Sequence, residues 1–132
     1  MKKKTYYETQ LEKVIEQSAL PEYHYLQVRQ SKDFMEKCYS EKIELDKIAM
    51  AACMSRFHYI RLFQTIYGTT PRQYLKDLRI NKAKELIKNG LSVAQVCYEV
   101  GYDSLQTFSS AFKRGTGFSP REYQKMNISN RE

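Results

Sequence analysis

The chain contains two copies of one pattern. Phe63 and Phe112, Gly68 and Gly117, Pro71 and Pro120, and Tyr74 and Tyr123 all stand 49 positions apart. Upstream, Ile48-Ala49 matches Val96-Cys97 at an offset of 48, so the second copy has one extra residue near its turn. A spacing of this size marks a repeated supersecondary unit, which cannot bury its apolar face alone.

Between the copies runs Thr70–Gly90, TPRQYLKDLRINKAKELIKNG. Thr70 is placed to cap a helix, Pro71 suits its first position and Gln73 closes a capping box. Gly90 ends the stretch, being the residue best able to take the left-handed conformation that stops a helix. About 19 helical residues at 1.5 Å each would span roughly 28 Å. Within this spacer Arg79 falls inside the apolar arc of Leu75, Leu78, Ala83 and Leu86, which predicts a buried ion pair rather than a surface contact.

Each copy reads as two short helices joined by a tight turn. In the first, Leu45–Ala52 is apolar and helix-forming, Cys53-Met54 interrupts it, and Ser55 caps a second helix reaching Tyr67. With Tyr59 as origin and about 100° per residue, Tyr59, Leu62 and Phe63 share one face. Phe57, Arg61 and Gln64 lie opposite, with Ile60 at the side. In the second copy, Ser92–Gln95 is a capping box and Val93, Val96, Cys97 and Val100 form the apolar face. Gly101 makes the turn, and Asp103 or Ser104 caps a helix running to about Arg114. There Phe108, Ala111 and Phe112 face inward, Gln106, Ser110 and Lys113 face outward, and Ser109 and Arg114 flank them.

Composition narrows the function. Of 132 residues, 22 are Lys or Arg and 15 are Asp or Glu, a net charge of +7. Residues 1–40 hold seven basic against six acidic groups, and residues 41–132 hold fifteen against nine. The excess therefore sits with the repeats and points to a polyanionic partner. Cys38, Cys53 and Cys97 are odd in number and scattered, and the only histidines are His24 and His58. That pattern fits free thiols in a reducing cytoplasm, with Cys38 and Cys97 as core residues, and offers neither a disulfide framework nor a metal site. No apolar run approaches a membrane span, and the basic start Met1-Lys-Lys-Lys has no apolar stretch behind it.

The fold class predicted is all-α: tandem helix-turn-helix subdomains, each a homeodomain-like three-helix unit, joined by a long linker helix. Seven helices are expected, with an extra one near the N-terminus, where residues 5–18 carry Tyr7, Leu11, Val14 and Ile15 at nearly helical spacing. The boundaries read as an N-terminal extension over 1–22, a first subdomain over 23–69, the linker helix over 70–90, a second subdomain over 91–126 and a disordered tail over 127–132. Tyr6, Tyr7, Tyr23 and Tyr25 either pack onto the body of the protein or form a docking surface. Tyr74 and Tyr123, ending equivalent turns, read as structural. A rigid helical spacer fixes a register that a flexible linker cannot. Successive major-groove faces of DNA lie roughly 34 Å apart, close to what this helix and its flanking units can span.

Ile48-Ala49, Ser55, Arg61-Leu-Phe63, Gly68, Pro71, Tyr74-Leu75, Leu78-Arg79-Ile80, Ala83, Leu86, Val96, Val100-Gly101-Tyr102, Phe108, Phe112-Lys113, Gly117, Pro120 and Tyr123 together resemble the AraC/XylS family. The match covers roughly Tyr25 to Gln124 and, with about 40 residues before the first unit, is similar to the compact MarA/SoxS type. The resemblance implies a bacterial, cytoplasmic and nucleoid-associated transcription regulator with no cofactor and no enzymatic activity. It also implies double-stranded DNA and RNA polymerase as partners, with each recognition helix in one of two adjacent major grooves of an asymmetric site. A monomer is expected, residues 1–22 being the place where self-association would occur.

The expected base contacts are Phe57, Ile60 and Arg61 from the first recognition helix and Gln106, Ser109 and Ser110 from the second. Arg56, Gln64, Thr107, Lys113 and Arg114 are the expected backbone contacts. Apolar groups meet thymine methyls, and arginine makes a bidentate contact to guanine, so the first half-site would be T-rich beside a G. A second reading of Ile60 packs it against the neighbouring helix and leaves Phe57 and Arg61 to touch DNA. Small hydroxyls discriminate weakly, so the second half would contribute more through phosphates. Cys53 stands where the family's turn has a glycine, and Tyr59 where it has a leucine. Two other classes compete: a protein–protein module that partners or antagonises another regulator, and a DNA alkyl-transfer enzyme, which would need an activated cysteine and a zinc cluster.

Overall fold

Local start and stop signals account for most element boundaries in the computed structural model, which describes residues 5–9, 22–52 and 54–131. Among these residues there are eight helical segments and no strand: α1 (6–9), α2 (Glu22–Cys38), α3 (Leu45–Ala51), α4 (Arg56–Tyr67), α5 (Pro71–Lys88), α6 (Val93–Glu99), α7 (Leu105–Thr116) and α8 (Pro120–Arg131). The all-α expectation holds, and α1 supplies the extra N-terminal helix. It opens with a reciprocal pair, the Glu8 amide donating to Thr5 Oγ1 and the Thr5 amide to Glu8 Oε2, each at 3.1 Å. The remainder of the helix expected over 5–18, and the turn residue Cys53, lie outside the described residues.

The caps do what their residue types suggest. Ser55 accepts the His58 amide, Thr70 accepts the Gln73 amide, and Ser92 and Gln95 form a complete capping box. Of the two candidates for α7, Ser104 is the cap, accepting the Thr107 amide. α7 continues two residues past the expected end at Arg114, stopping at Gly117 with φ +86°. Residues 127–131, expected as a disordered tail, instead continue α8.

The chain forms two units by packing: Met1–Met35 with Glu44–Gln73, and Glu36–Ile43 with Tyr74–Glu132. In the first, Val28, Met35, Ala49, Tyr59, Leu62 and Phe63 are buried. Fully burying an apolar side chain of this size stabilises by roughly 1.5–3 kcal/mol. The Tyr59 hydroxyl donates to Ser31 Oγ at 2.7 Å and Ser31 donates to the Val28 carbonyl at 2.6 Å, so this buried polar chain is satisfied. Tyr7 stacks on Tyr67 at 6.3 Å between centroids, the packing alternative for that tyrosine, whereas Tyr6 is exposed.

The second unit's core joins Ile80, Ala83 and Ile87 of α5 to Val96, Cys97, Val100, Tyr102, Phe108 and Phe112, with Tyr123 packed against it. Ile80 and Ile87 lie outside the apolar arc read from the sequence, because α5 is covered over more of its circumference than one amphipathic face. Cys97 is core as expected, and Cys38 only partly so. Arg79 corrects the expected ion pair: its Nε donates to the Tyr39 carbonyl at 2.7 Å and its Nη2 to the Glu41 carbonyl at 3.0 Å. Its guanidinium also lies 5.6 Å from the Tyr102 ring centre. Backbone acceptors thus satisfy the half-buried cation, and burial lowers its pKa.

Candidate nucleic-acid interface

In each unit a short helix, a turn and a twelve-residue helix hold the residues in question. In the first, the Met54 amide returns to the Ala49 carbonyl at 2.9 Å, closing the turn that aims α4. Ser55 starts α4, and Gly68, at φ +76°, stops it. Tyr59, Leu62 and Phe63 are buried, which leaves Arg56, Phe57, Arg61 and Gln64 exposed on the other side. Phe57 is 78% exposed on this side. Arg56 Nε sits 3.4 Å from Asp46 Oδ1 in an exposed ion pair worth at most about 1 kcal/mol. Such a pair is readily exchanged for a phosphate.

In the second unit the Tyr102 amide returns to the Cys97 carbonyl at 3.0 Å, and Gly101 takes φ +98°. Phe108 and Phe112 anchor α7 inside. Gln106, Thr107, Ser110, Lys113 and Arg114 are exposed, and Ser109 is half-buried. The Thr107 hydroxyl accepts from Ser104 at 3.0 Å, so its oxygen already serves the start of the helix. Lys113 and Arg114 occupy the last turn, where the helix dipole favours cations.

The structure therefore gathers the first set of expected residues on α4 and the second on α7. Ile60 and Ser109 depart from a clean outward position, and of these Ile60 comes first. It is half-buried and lines a shallow hollow with Leu45, Arg56, Thr70, Pro71 and Arg72. Ser109 lines the corresponding hollow in the second unit with Val93, Ala94, Leu105, Ser119, Pro120 and Arg121. Sequence reasoning assigned no role to Arg72 and Arg121. Their signal was present in the 49-residue offset between Thr70-Pro-Arg-Gln and Ser119-Pro-Arg-Glu, which reads first as a helix-start motif.

His24 and His58 meet with ring centres 5.8 Å apart. Among the described residues no group of three or more potential metal ligands occurs, and no helix is long and apolar enough to cross a membrane.

Two helix-turn-helix units, each exposing a polar and partly aromatic face on its second helix, define a tandem helix-turn-helix nucleic-acid-binding domain. The helix-turn-helix domain family matches residues 48–126. The chain is 39% identical over 90 residues to the HTH-type transcriptional regulator YdeC of Bacillus subtilis, covering 67% of this chain and 31% of that one. It is 39% identical over 82 residues to the transcriptional regulator AlkR of Acinetobacter baylyi, covering 61% and 27%. Among solved structures, it resembles the DNA-binding domain of AdpA in complex with a target DNA, with a TM-score of 0.74, 26% identity and 79% and 95% of the chains covered. The C-terminal domain of the response regulator AraT from Geobacillus stearothermophilus gives a TM-score of 0.72 and 28% identity over 76% and 84%. The chain belongs to the AraC/XylS family of helix-turn-helix domains. It spans less than a third of the length of the two relatives above.

Proposed function

We propose that this protein is a sequence-specific transcription regulator that inserts α4 and α7 into adjacent major grooves of an asymmetric promoter site. The observation that carries this reading is the pair of equivalent, equally anchored helices with unlike exposed faces. Identical faces would suit a repeated half-site, whereas unlike ones suit two different half-sites. Arg61 supplies the bidentate contact to guanine, and Phe57 meets thymine methyls, with Ile60 beside it at the hollow's edge. Gln106, Ser109 and Ser110 read the second half more loosely. Arg56, Gln64, Thr107, Lys113 and Arg114 hold phosphates. The protein acts as a monomer in the cytoplasm, its nucleoid-bound form meeting RNA polymerase, and performs no chemistry on the DNA.

Selection of bound duplexes from a random library, run at two salt concentrations, tests this. The expected product is a site of about 15–20 bp with two unlike blocks one helical turn apart. The first block should be T-rich beside a G, and that T preference should vanish in a Phe57→Ala/Ile60→Ala variant. A palindromic product would replace the monomer by a dimer. No enrichment at either salt would overturn the DNA reading in favour of a module that binds a partner regulator.

A further inference from the structure

The two hollows beside α4 and α7 are one hollow built twice. Leu45, Arg56, Ile60, Thr70, Pro71 and Arg72 line the first, and the equivalents of all six, offset by 48 before the turn and 49 after it, line the second. The wall contributed by the recognition helix has diverged. Arg56 becomes Leu105, and Ile60 becomes Ser109. The wall contributed by the start of the following helix has not: a hydroxyl, a proline and an arginine stand in the same order in both.

The fold accounts for two of these three. Thr70 and Ser119 are caps, each accepting the amide three residues on at 3.1 Å, so neither hydroxyl oxygen is waiting for a ligand. Pro71 and Pro120 are buried at the first helical position, where a missing N–H costs nothing. The fold does not account for the arginines. Both are exposed, and neither meets a carboxylate among the described residues. Both also sit at the second position of a helix, the end where the dipole disfavours a cation. In α5 no acidic residue of the first turn offsets this. Two repeats that have diverged in what they show to the bases keep a locally unfavourable charge in the same place. What two unlike half-sites share is the sugar-phosphate backbone.

We propose that Arg72 and Arg121 are paired phosphate clamps, each gripping the strand that borders the groove entered by its own unit's recognition helix. The proposal rests on the DNA-binding reading above. The buried proline before each arginine fixes the start of the helix, and the hollow sets the arginine directly beside the recognition helix. The clamp thereby fixes the depth and register at which that helix meets the bases, without reading them itself.

The test uses Arg72→Gln, Arg121→Gln and the double variant of the full chain, titrated by fluorescence anisotropy onto the selected duplex across a salt series. Each single variant should weaken binding roughly 3- to 10-fold and shallow the slope of log affinity against log salt by about 0.9. The double variant should lose about twice that slope, and Arg72→Lys should retain most of it. Reselection with either variant should return the same bases. Thermal unfolding should be unchanged or slightly raised, since a cation leaves a helix N-terminus. An unchanged affinity and slope, or a shifted base preference in one block, would overturn the clamp. Wild-type protein that enriches no site would instead sink the DNA reading on which the clamp depends.

Discussion

α4 and α7 have the same length, a serine before the first residue and a left-handed glycine after the last. Their inward positions correspond as Tyr59 to Phe108 and Phe63 to Phe112, and all four are fully buried. Their outward positions correspond as Phe57 to Gln106, Arg61 to Ser110 and Gln64 to Lys113, and not one pair is alike. The inner face answers to the packing of its own unit, which both copies must satisfy in the same way. The outer face is free of that constraint, and under the proposed function it meets two different half-sites. The internal exception is Tyr59, whose hydroxyl joins Ser31 and Val28, whereas Phe108 has no hydroxyl and lies against the rings of Tyr102 at 5.5 Å and Phe112 at 5.7 Å.

If the inner faces are equivalent, Phe63→Ala and Phe112→Ala should each cost about 3–5 kcal/mol, read by urea unfolding monitored by circular dichroism. A large inequality would break the equivalence. Within the second unit, the two left-handed glycines should differ next. Gly101→Ala should cost about 3 kcal/mol, because the new Cβ would meet the Ser40 carbonyl oxygen at 2.9 Å at a φ of +98°. Gly117→Ala, with open space around its Cβ, should cost about 1 kcal/mol from the left-handed backbone alone.

The tyrosines sharpen the exception. Tyr59→Phe should cost about 1 kcal/mol by removing a satisfied buried hydrogen bond. Tyr102→Phe should be neutral or slightly stabilising, since its buried hydroxyl has no hydrogen-bond partner among the described residues. The Tyr59 hydroxyl also has a pH signature. Burial pushes the Tyr59 phenol up to about 12, from a model-peptide value of 10.0. The unfolded chain therefore releases this proton first as pH rises. The stability it contributes is complete below pH 10 and lost between about 10 and 12. Stability curves of wild type and Tyr59→Phe should converge and then cross within that window.

Much of this architecture was legible in the chain itself because its signals are local. Ser55, Ser92 and Ser104 cap through hydrogen bonds to amides three residues on, and Gly68 and Gly117 stop helices through their own backbone angles. Spacing alone distinguished the buried from the exposed faces of α4 and α7. What spacing could not convey was which distant atoms meet. Arg79 finds carbonyls some forty residues earlier in the chain, which a search for carboxylates overlooks. Ile80 and Ile87 are buried because α5 is covered on more than one side, a tertiary fact. Ile60 and Ser109 are half-buried because the start of the following helix forms the second wall of each hollow, and no wheel drawn on one helix contains that neighbour. The length of α8 was not legible either, because few apolar residues follow Tyr123, although the capped start at Ser119 favours a helix there.

The stretch Glu36–Ile43 belongs with the second unit although it precedes the first helix-turn-helix in the chain. The segment that repeats and the segment that folds are therefore different objects. A gene fusion that moved everything from Tyr74 onward into a new host would carry a complete repeat with an incomplete interior. Arg79 would arrive without the Tyr39 and Glu41 carbonyls, and the turn at Gly101 without Ser40 against it. The repeated pattern draws one boundary and packing draws another. Swapping specificities between such proteins should follow the second, exchanging the outward residues of α4 or α7 in place rather than cutting at the edges of the repeat.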